Sequence, residues 1–278
     1  MAPKPSGSPG HWPVGLLGSW ATACYSCGMG VIIAVASAKG GVGKTTLAYE
    51  LAAALDGVLV DLDWDWGSAT DRWGTSPEIR QRAPLLAWLC DGRWSAVRCL
   101  GDPGATQPNL MPGDARLAQL AGADPAVLAE RLAAWASRWL IPVVLDTHPG
   151  TGALADAAVA AAGLTVVPVV LDVLGIDALA GFLRRHADTR VLVVPNRVAG
   201  RARERGMVAR FVALVEATGV SVAPPVSDHA WLPVRTRRAA LVRTPTPGQA
   251  VAAAAAEFRA VAEMVRAMVG PVAQEVAG

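Results

Sequence analysis

The chain has 278 residues, a hydrophobic fraction of 53% and a formal net charge of +2 at pH 7. This length is enough to bury one large core, and the absence of an uninterrupted apolar run of about 18 residues argues against a membrane span. The four cysteines, Cys24, Cys27, Cys90 and Cys99, have no regular spacing, which argues against a disulfide framework and indicates free thiols.

Residues 1–28 are rich in Pro, Gly and Ser, a composition that predicts a disordered extension. Their short apolar piece is interrupted by Gly15 and Gly18, so it is not typical of a secretory signal. Met29 is an alternative start of the protein. We expect residues 29–278 to form one folded domain.

From residue 31 onward, short β-branched apolar runs alternate with helical stretches rich in Ala and Leu. This alternation predicts an α/β fold with a mostly parallel twisted sheet and helices on both of its faces. The predicted strands are Val31–Ser37, Val58–Leu62, Pro142–Asp146, Leu164–Val170 and Arg190–Pro195. The predicted helices are Lys44–Leu55, Pro125–Trp139, Ile176–His186, Arg203–Thr218 and Gln249–Val269.

Two regions outside the regular alternation need separate interpretation. Residues 73–115 have the least regular pattern, and we expect them to form surface helices and loops between the second strand and the middle of the sheet. In the last helix, Phe258, Val261, Val265 and Met268 recur at helical spacing. Because the opposite face is not strongly basic, this spacing predicts packing on the core and not a membrane anchor.

The first predicted strand runs into AKGGVGKTT, residues 38–46, and a helix is predicted directly after it. A Gly-rich loop in this position directs backbone N–H groups and a helix N-terminus at a phosphate. The general loop GxxxxGK[ST] has Gly where this chain has Ala38, but Gly40, Gly41 and Gly43 supply conformational freedom. Lys44 is predicted to reach the β- and γ-phosphates and Thr45 to ligate Mg²⁺.

A second polar motif, VLVDLDWDWGSATDRW, occupies residues 58–73. Its Asp61, Asp63 and Asp65 match the opening of an EF-hand calcium loop. The calcium interpretation fails because the sixth position is Trp66, the twelfth is Arg72, and a strand precedes the loop in place of a helix.

A third motif, PVVLDTHPGTG at residues 142–152, is an apolar strand that ends in an acid. This pattern is typical of a Walker B aspartate, so Asp146 is predicted to hold Mg²⁺ through water. His148 follows, and a lone histidine in such a position is more often structural than catalytic.

The form KGGVGKTT, with Lys39 ahead of the glycines, resembles the deviant Walker A motif of the ParA/MinD group of ATPases, most of all the ParA-type partition ATPases. The four landmarks occur in the family's order between residues 31 and 269, the last being VLVVPNRVAGRARER at residues 191–205. The resemblance implies a P-loop ATPase fold that binds ATP. It implies nucleotide contacts at Gly40, Gly41, Val42, Gly43, Lys44, Thr45, Thr46 and Asn196, the last through adenine.

The same resemblance implies the catalytic and metal-binding residues. Lys39 would reach across a nucleotide-sandwich dimer to the phosphates bound by the other subunit, and Lys44 would act within its own subunit. Residues 58–73 resemble the family's DLDPQGSAT motif, so Asp63 would orient or activate the attacking water. Asp61 would support the Mg²⁺ site formed with Thr45 and Asp146.

The chain departs from the family pattern at two places. Trp64-Asp65-Trp66 replaces a Pro-Gln pair and makes the loop one residue longer, and His148 stands in a segment that is usually DTPP. For Trp64 and Trp66 we expect ordinary loop packing, with a dimer interface or stacking on a ligand as alternatives.

The C-terminal third carries an excess of positive charge. Residues 190–245 hold ten arginines against Glu204, Glu216 and Asp228. Because unpaired arginines suit phosphate contacts, and because the resemblance implies a basic DNA-binding surface here, we expect non-specific DNA binding. The candidate residues are Arg201, Arg203, Arg205, Arg235, Arg237, Arg238 and Arg243.

The resemblance therefore implies a cytoplasmic, nucleoid-associated DNA partition ATPase. It would form a homodimer with ATP and Mg²⁺ and hydrolyse ATP when a ParB-like centromere-binding protein stimulates it. A MinD-like membrane ATPase would need a basic amphipathic tail, and it is disfavoured because residues 270–278, GPVAQEVAG, contain no basic residue. An iron–sulfur carrier would need paired cysteines after the Walker B strand, and it is disfavoured because no cysteine follows Cys99. A non-hydrolytic DNA-binding regulatory module remains an alternative.

Overall fold

The structure is a computed structural model that describes residues 31–75, 85–91, 101, 105–139, 141–199, 205–236 and 238–270. The expected disordered extension, residues 1–28, lies outside the described residues, as do Cys24, Cys27 and Cys99. Cys90 is a free, exposed thiol. No helix within the described ranges is both long enough and apolar enough to cross a bilayer.

Seven strands form one sheet in the order β3-β2-β4-β1-β5-β6-β7, and every neighbouring pair is parallel. The α/β fold with a parallel sheet is thereby confirmed. The strands are β1 (Ile32–Val35), β2 (Val58–Leu62), β3 (Asn109–Met111), β4 (Val143–Thr147), β5 (Leu164–Val169), β6 (Val191–Pro195) and β7 (Ser221–Val222).

Helices connect the strands and cover the sheet. They are α1 (Lys44–Ala54), α2 (Ala69–Trp73), α3 (Leu85–Asp91), α4 (Pro125–Ala136), α5 (Ala153–Ala161), α6 (Val173–Arg185), α7 (Arg205–Thr218) and α8 (Gln249–Val269). Two 3-10 helices span Ala115–Gly122 and Leu241–Arg243.

The core lies on both faces of the sheet, because alternate residues of each strand point to opposite sides. In β1, Ile33 and Val35 pack with α1 and α8, whereas Ile32 and Ala34 pack with α3, α4 and α5 on the other face. On that second face, α6 and α7 cover β5 and β6. Strands buried on both faces read as continuous apolar runs, which is why the sequence revealed them.

The face predicted for the last helix is confirmed. Phe258, Val261 and Val265 are almost completely buried, and the partly buried Met268 packs against the same cluster.

The expectation for residues 73–115 is wrong in two respects. Leu85 and Leu89 of α3 are buried core residues, and residues 109–111 form the edge strand β3 beside β2. A three-residue strand and a seven-residue helix are too short to give a recognisable period. Helix α5 and strand β7 were not predicted either, since α5 is dominated by Ala and β7 has two residues.

The topology brings the three motifs together. Strand β1 lies between β4 and β5, and β2 lies on the far side of β4. Because all strands are parallel, the segments that follow β1, β2, β4, β5 and β6 leave the same edge of the sheet, where ligands of open α/β sheets bind.

Candidate nucleotide-binding site

The loop between β1 and α1 has the conformation of an anion-binding loop. Gly41 and Gly43 have φ values of 71° and 92°, in the left-handed region that favours glycine. Helix α1 has no side-chain cap, and the N–H of Leu47 donates to the carbonyl of Gly43 at 3.0 Å. The N–H groups of residues 44–46 precede that first intrahelical bond, so they are available to a phosphate.

Lys44 lies buried at the base of this loop, with 6% of its surface exposed. Burial lowers the pKa of its ammonium group, and the charges of Asp146 and Asp63 act in the opposite direction. The cation therefore lies at the phosphate loop within the electrostatic influence of two carboxylates, and its contact with phosphates stays a prediction.

Asp146 at the end of β4 is completely buried, and neither carboxylate oxygen has a hydrogen-bond partner among the described residues. Burial, followed by the charge of Asp61, raises the pKa of Asp146 well above its ordinary value, while the nearby Thr45 and Lys44 oppose this shift. A buried carboxylate without donors is costly unless a cation or a proton satisfies it. The arrangement therefore fits Mg²⁺ held by Asp146 and Thr45.

Asp61 is also completely buried, but its oxygens are already used by protein donors. They accept hydrogen bonds from the N–H of Asp63 at 3.0 Å, the hydroxyl of Ser68 at 2.6 Å, and both the N–H and the hydroxyl of Thr70. These bonds fix the loop after β2 and the start of α2. A direct contact between Asp61 and Mg²⁺ stays a prediction.

Asp63 stands at the carboxyl end of β2 with 9% of its surface exposed. Burial raises the pKa of its carboxyl group, and the hydrogen bond that its Oδ1 accepts from the N–H of Asp65 lowers it. Ligand atoms of Asp63, Asp65 and His148 lie within 4.8 Å of one another. Asp63 is therefore a partly desolvated carboxylate next to Lys44, suited to orienting a water molecule.

The two departures from the family pattern contact each other. The rings of Trp64 and His148 stack with centroids 4.0 Å apart and an interplanar angle of 5°, and His148 Nε2 lies 3.0 Å from Asp65 Oδ2. Loop packing is thereby confirmed for Trp64, and His148 has a structural contact. The packing prediction is wrong for Trp66, which is 88% exposed.

Lys39 contacts its own subunit in this structure. Its Nζ lies 2.8 Å from Asp172 Oδ2 and 2.9 Å from Oδ1. Asp172 also caps α6, because Oδ1 accepts a hydrogen bond from the N–H of Gly175. This partner of Lys39 was not predicted from the sequence, although an acid just before a helix, shortly after the end of a buried strand, is a typical N-cap signal.

Asn196 contacts the phosphate loop. Its Nδ2 donates to the carbonyl of Val42 at 2.7 Å, and its Oδ1 accepts from the N–H of Arg197 at 3.0 Å. A Cβ atom on Gly43 would lie 2.4 Å from Nδ2, so this close approach requires glycine. The predicted contact with adenine stays a prediction, and the structure adds a role in bracing the loop.

The arginines predicted to contact DNA differ in their surroundings. The expectation that they lack acidic partners is wrong for two of them, because Arg235 lies 3.8 Å from the Glu50 carboxylate and Arg243 lies 2.5 Å from that of Asp56. Arg238 is exposed and donates to the carbonyl of Gly74 at 3.3 Å. Arg201, Arg203, Arg237 and the side chain of Arg205 lie outside the described part of the chain.

The structure also places Arg72 at the phosphate loop, where its Nη1 donates to the hydroxyl of Thr46 at 2.7 Å. Sequence reasoning missed this residue because it lies in a five-residue helix 26 positions away from Thr46. A motif-based search considers positions within a motif and gives no information on contacts between motifs.

Comparison with protein families identifies a nucleotide-binding family. The family model described as the CobQ/CobB/MinD/ParA nucleotide binding domain matches residues 33–230. Among curated proteins, the chromosome-partitioning ATPase Soj of Thermus thermophilus is 35% identical over 176 residues, which cover 59% of this chain. The chain spans 64% of the length of that relative.

Comparison with solved structures confirms the fold. A McdA–ATP complex from Cyanothece superposes with a TM-score of 0.67 at 18% identity, covering 87% of this chain and 97% of McdA. The septum site-determining protein MinD of Pyrococcus horikoshii, complexed with Mg-ADP, gives a TM-score of 0.63 at 19% identity, covering 87% of this chain and 98% of MinD.

Proposed function

The chain belongs to the CobQ/CobB/MinD/ParA nucleotide-binding family, and from this premise we propose that it is an ATPase of the ParA partition type. The observation that carries the proposal is the second lysine of the loop, Lys39, in a chain whose other basic residues after Lys4 are Lys44 and arginines. A single lysine is enough to bind phosphates, so Lys39 points to an additional step.

The proposed chemistry is attack of water on the γ-phosphate of ATP. Lys44 neutralises developing negative charge from a buried position beside Asp146 and Asp63. Asp63 orients the water, and its partial desolvation makes its carboxylate a better proton acceptor than a fully hydrated one. Mg²⁺, when bound by Thr45 and Asp146, supplies further charge neutralisation on the phosphate oxygens.

The additional step is dimerisation. We infer that Lys39 acts in trans on the nucleotide of a second subunit. Because Lys39 is paired with Asp172 of its own subunit, that ion pair must open before the lysine can reach a partner. A homodimer formed with ATP is therefore proposed to exchange one ion pair within the subunit for contacts across the interface.

The proposed biological role follows from this switch. The ATP-bound dimer binds nucleoid DNA without sequence preference, and a ParB-like centromere-binding protein releases it by stimulating hydrolysis. The proposed location is the cytoplasm, on the nucleoid. The exposed Arg238 is the described side chain best suited to DNA, since Arg235 and Arg243 face carboxylates.

A phosphate-release assay with ATP, with and without DNA, tests the enzymatic part of this proposal. We expect phosphate release that depends on Mg²⁺ and has a low rate when the protein is assayed by itself. The alternative, a non-hydrolytic DNA-binding module, predicts DNA binding with no release above that of a Lys44→Ala control. A MinD-like role predicts that the protein co-sediments with anionic vesicles when ATP is present, which we do not expect.

A further inference from the structure

We propose that Arg72 is a nucleotide-binding residue whose guanidinium group contacts the α- and β-phosphates of a nucleoside di- or triphosphate. The inference rests on the proposed nucleotide site and adds to it a cationic side chain from a different motif, helix α2. Three features of the described residues carry it: the position of the guanidinium group, the rigidity of its support and the nature of its partner.

The position is the N-terminus of helix α1. Arg72 Nη1 donates to the hydroxyl of Thr46 at 2.7 Å, and Thr46 is the third residue of α1. Residues 44–46 are those whose N–H groups precede the first intrahelical hydrogen bond. The guanidinium group therefore adds a full positive charge at the end of the helix that already attracts anions.

The support is rigid although α2 has only five residues. On one side of Arg72, Asp71 accepts a hydrogen bond from the N–H of Gly67 at 2.8 Å, and on the other the indole N–H of Trp73 donates to the carbonyl of Pro108 at 2.9 Å. Thr70 is anchored by the buried carboxylate of Asp61. These contacts hold the backbone of Arg72 in place before a ligand binds, which lowers the entropy cost of binding.

The partner of Arg72 is a neutral hydroxyl. Within the described ranges no carboxylate forms an ion pair with its guanidinium group, whereas Arg116 and Arg210 pair with Asp114 and Asp177. The Arg72 side chain is exposed, so the donors that Thr46 does not use can be reached by a ligand from solution. A guanidinium group with unused donors at an anion-binding loop is suited to phosphate.

The contact with Thr46 also indicates which phosphates are involved. In loops of this kind the backbone N–H groups hold the α- and β-phosphates, and the loop lysine reaches the β- and γ-phosphates. Arg72 lies beside a residue that follows Lys44 and Thr45. Its contribution should therefore be shared by ADP and ATP, unlike that of a lysine that acts at the γ-phosphate.

Equilibrium titration calorimetry with Mg-ATP and with Mg-ADP tests the proposal. Arg72→Ala should weaken both nucleotides by about tenfold, the lower end of the contribution of a charge-assisted hydrogen bond. Arg72→Gln keeps a donor for Thr46 but removes the charge, and it should also weaken both. Thermal unfolding of each variant without nucleotide shows whether the variant is folded. If Arg72→Ala does not fold, the nucleotide affinities of Arg72→Gln decide the test.

Arg210→Ala is the matched control, because Arg210 is an exposed arginine paired with Asp177 on a different helix. It should bind both nucleotides like the wild-type protein. Unchanged affinity of both Arg72 variants would overturn the proposal, and a loss confined to ATP would overturn the assignment to the α- and β-phosphates. If the wild-type protein binds nucleotide but not DNA, the partition proposal fails and the role of Arg72 stands.

Discussion

At the scale of single residues, the two lysines of the loop are expected to have different functions: Lys44 binds ATP, and Lys39, which is paired with Asp172 in this structure, acts in dimerisation. Lys39→Ala should still bind ATP through Lys44 but should lose ATP-dependent dimerisation, and its hydrolysis rate should fall by about 10³-fold, as for other cationic groups supplied in trans. Light scattering with and without ATP measures the dimer.

Asp172→Asn is the control for that experiment. It removes the charge that holds Lys39, yet asparagine remains a good N-cap for α6, so the variant should fold and still dimerise with ATP. A Lys39→Ala protein that dimerises like the wild type would contradict the role of Lys39 across the interface.

Asp63 is expected to serve hydrolysis more than binding. Asp63→Ala should keep its affinity for ATP and lose turnover by at least about 10²-fold, which is typical of a group that orients the attacking water or accepts its proton. Single-turnover phosphate release together with nucleotide retention on the protein measures both. Asp65→Asn is the comparison, because Asp65 lies next to Asp63 and His148. If turnover survives in Asp63→Ala but not in Asp65→Asn, Asp65 positions the water.

At the scale of secondary-structure elements, helix α1 connects the phosphate loop to the C-terminal arginines. The hydroxyl of Tyr49 donates to the carbonyl of Arg238 at 2.6 Å, and the buried Glu50 accepts hydrogen bonds from the N–H groups of Leu241 and Val242 at 2.9 and 3.2 Å. The helix that begins at the phosphates therefore holds the segment that carries Arg235, Arg238 and Arg243.

Titration of Tyr49 tests this connection. Burial raises the pKa of its phenol to about 12, so its ionisation should be delayed relative to an ordinary tyrosine near pH 10. Because the folded state keeps the proton, the contribution of Tyr49 to stability is full below pH 10 and is lost as pH rises through 12. Absorbance at the tyrosinate band measures the delay, and Tyr49→Phe should abolish the delayed step. A single transition near pH 10 in the folded wild type would contradict the buried contact.

The elements differ in how far they could be predicted. Val58–Leu62 and Gln249–Val269 were predicted with the observed bounds, because one is a buried apolar run and the other has a long helical period. Strand β3 and helix α5 could not be predicted, since three residues and an alanine-rich stretch carry no period. In the candidate site, Lys44 and Asp146 could be predicted from motifs. The contacts of Lys39 with Asp172 and of Arg72 with Thr46 join residues from separate motifs, so they depend on the fold.

At the scale of the whole molecule, the arginines divide into structural and exposed groups. Arg235 has 15% of its side chain exposed and faces Glu50, so Arg235→Ala should lower the melting temperature by several degrees through loss of a partly buried pair. Arg238→Ala should leave the melting temperature nearly unchanged. It should reduce the magnitude of the log–log salt slope of DNA binding by about 0.9, the value for one phosphate contact. Thermal unfolding and DNA titrations over a range of salt measure both. The reverse pattern would place the DNA-binding surface elsewhere, first at residues 201–210.

We propose that ATP converts this protein into a dimer that binds DNA without sequence preference. The most direct measurement is a salt titration of DNA binding by the wild-type protein with ATP, with ADP and without nucleotide, on two unrelated duplexes. We predict that the protein binds DNA with ATP but not with ADP or without nucleotide, and that its affinity is equal for both duplexes. A plot of log affinity against log salt concentration should have a slope of about −0.9 for each phosphate neutralised. No binding at low salt by a protein that demonstrably holds ATP would contradict the claim.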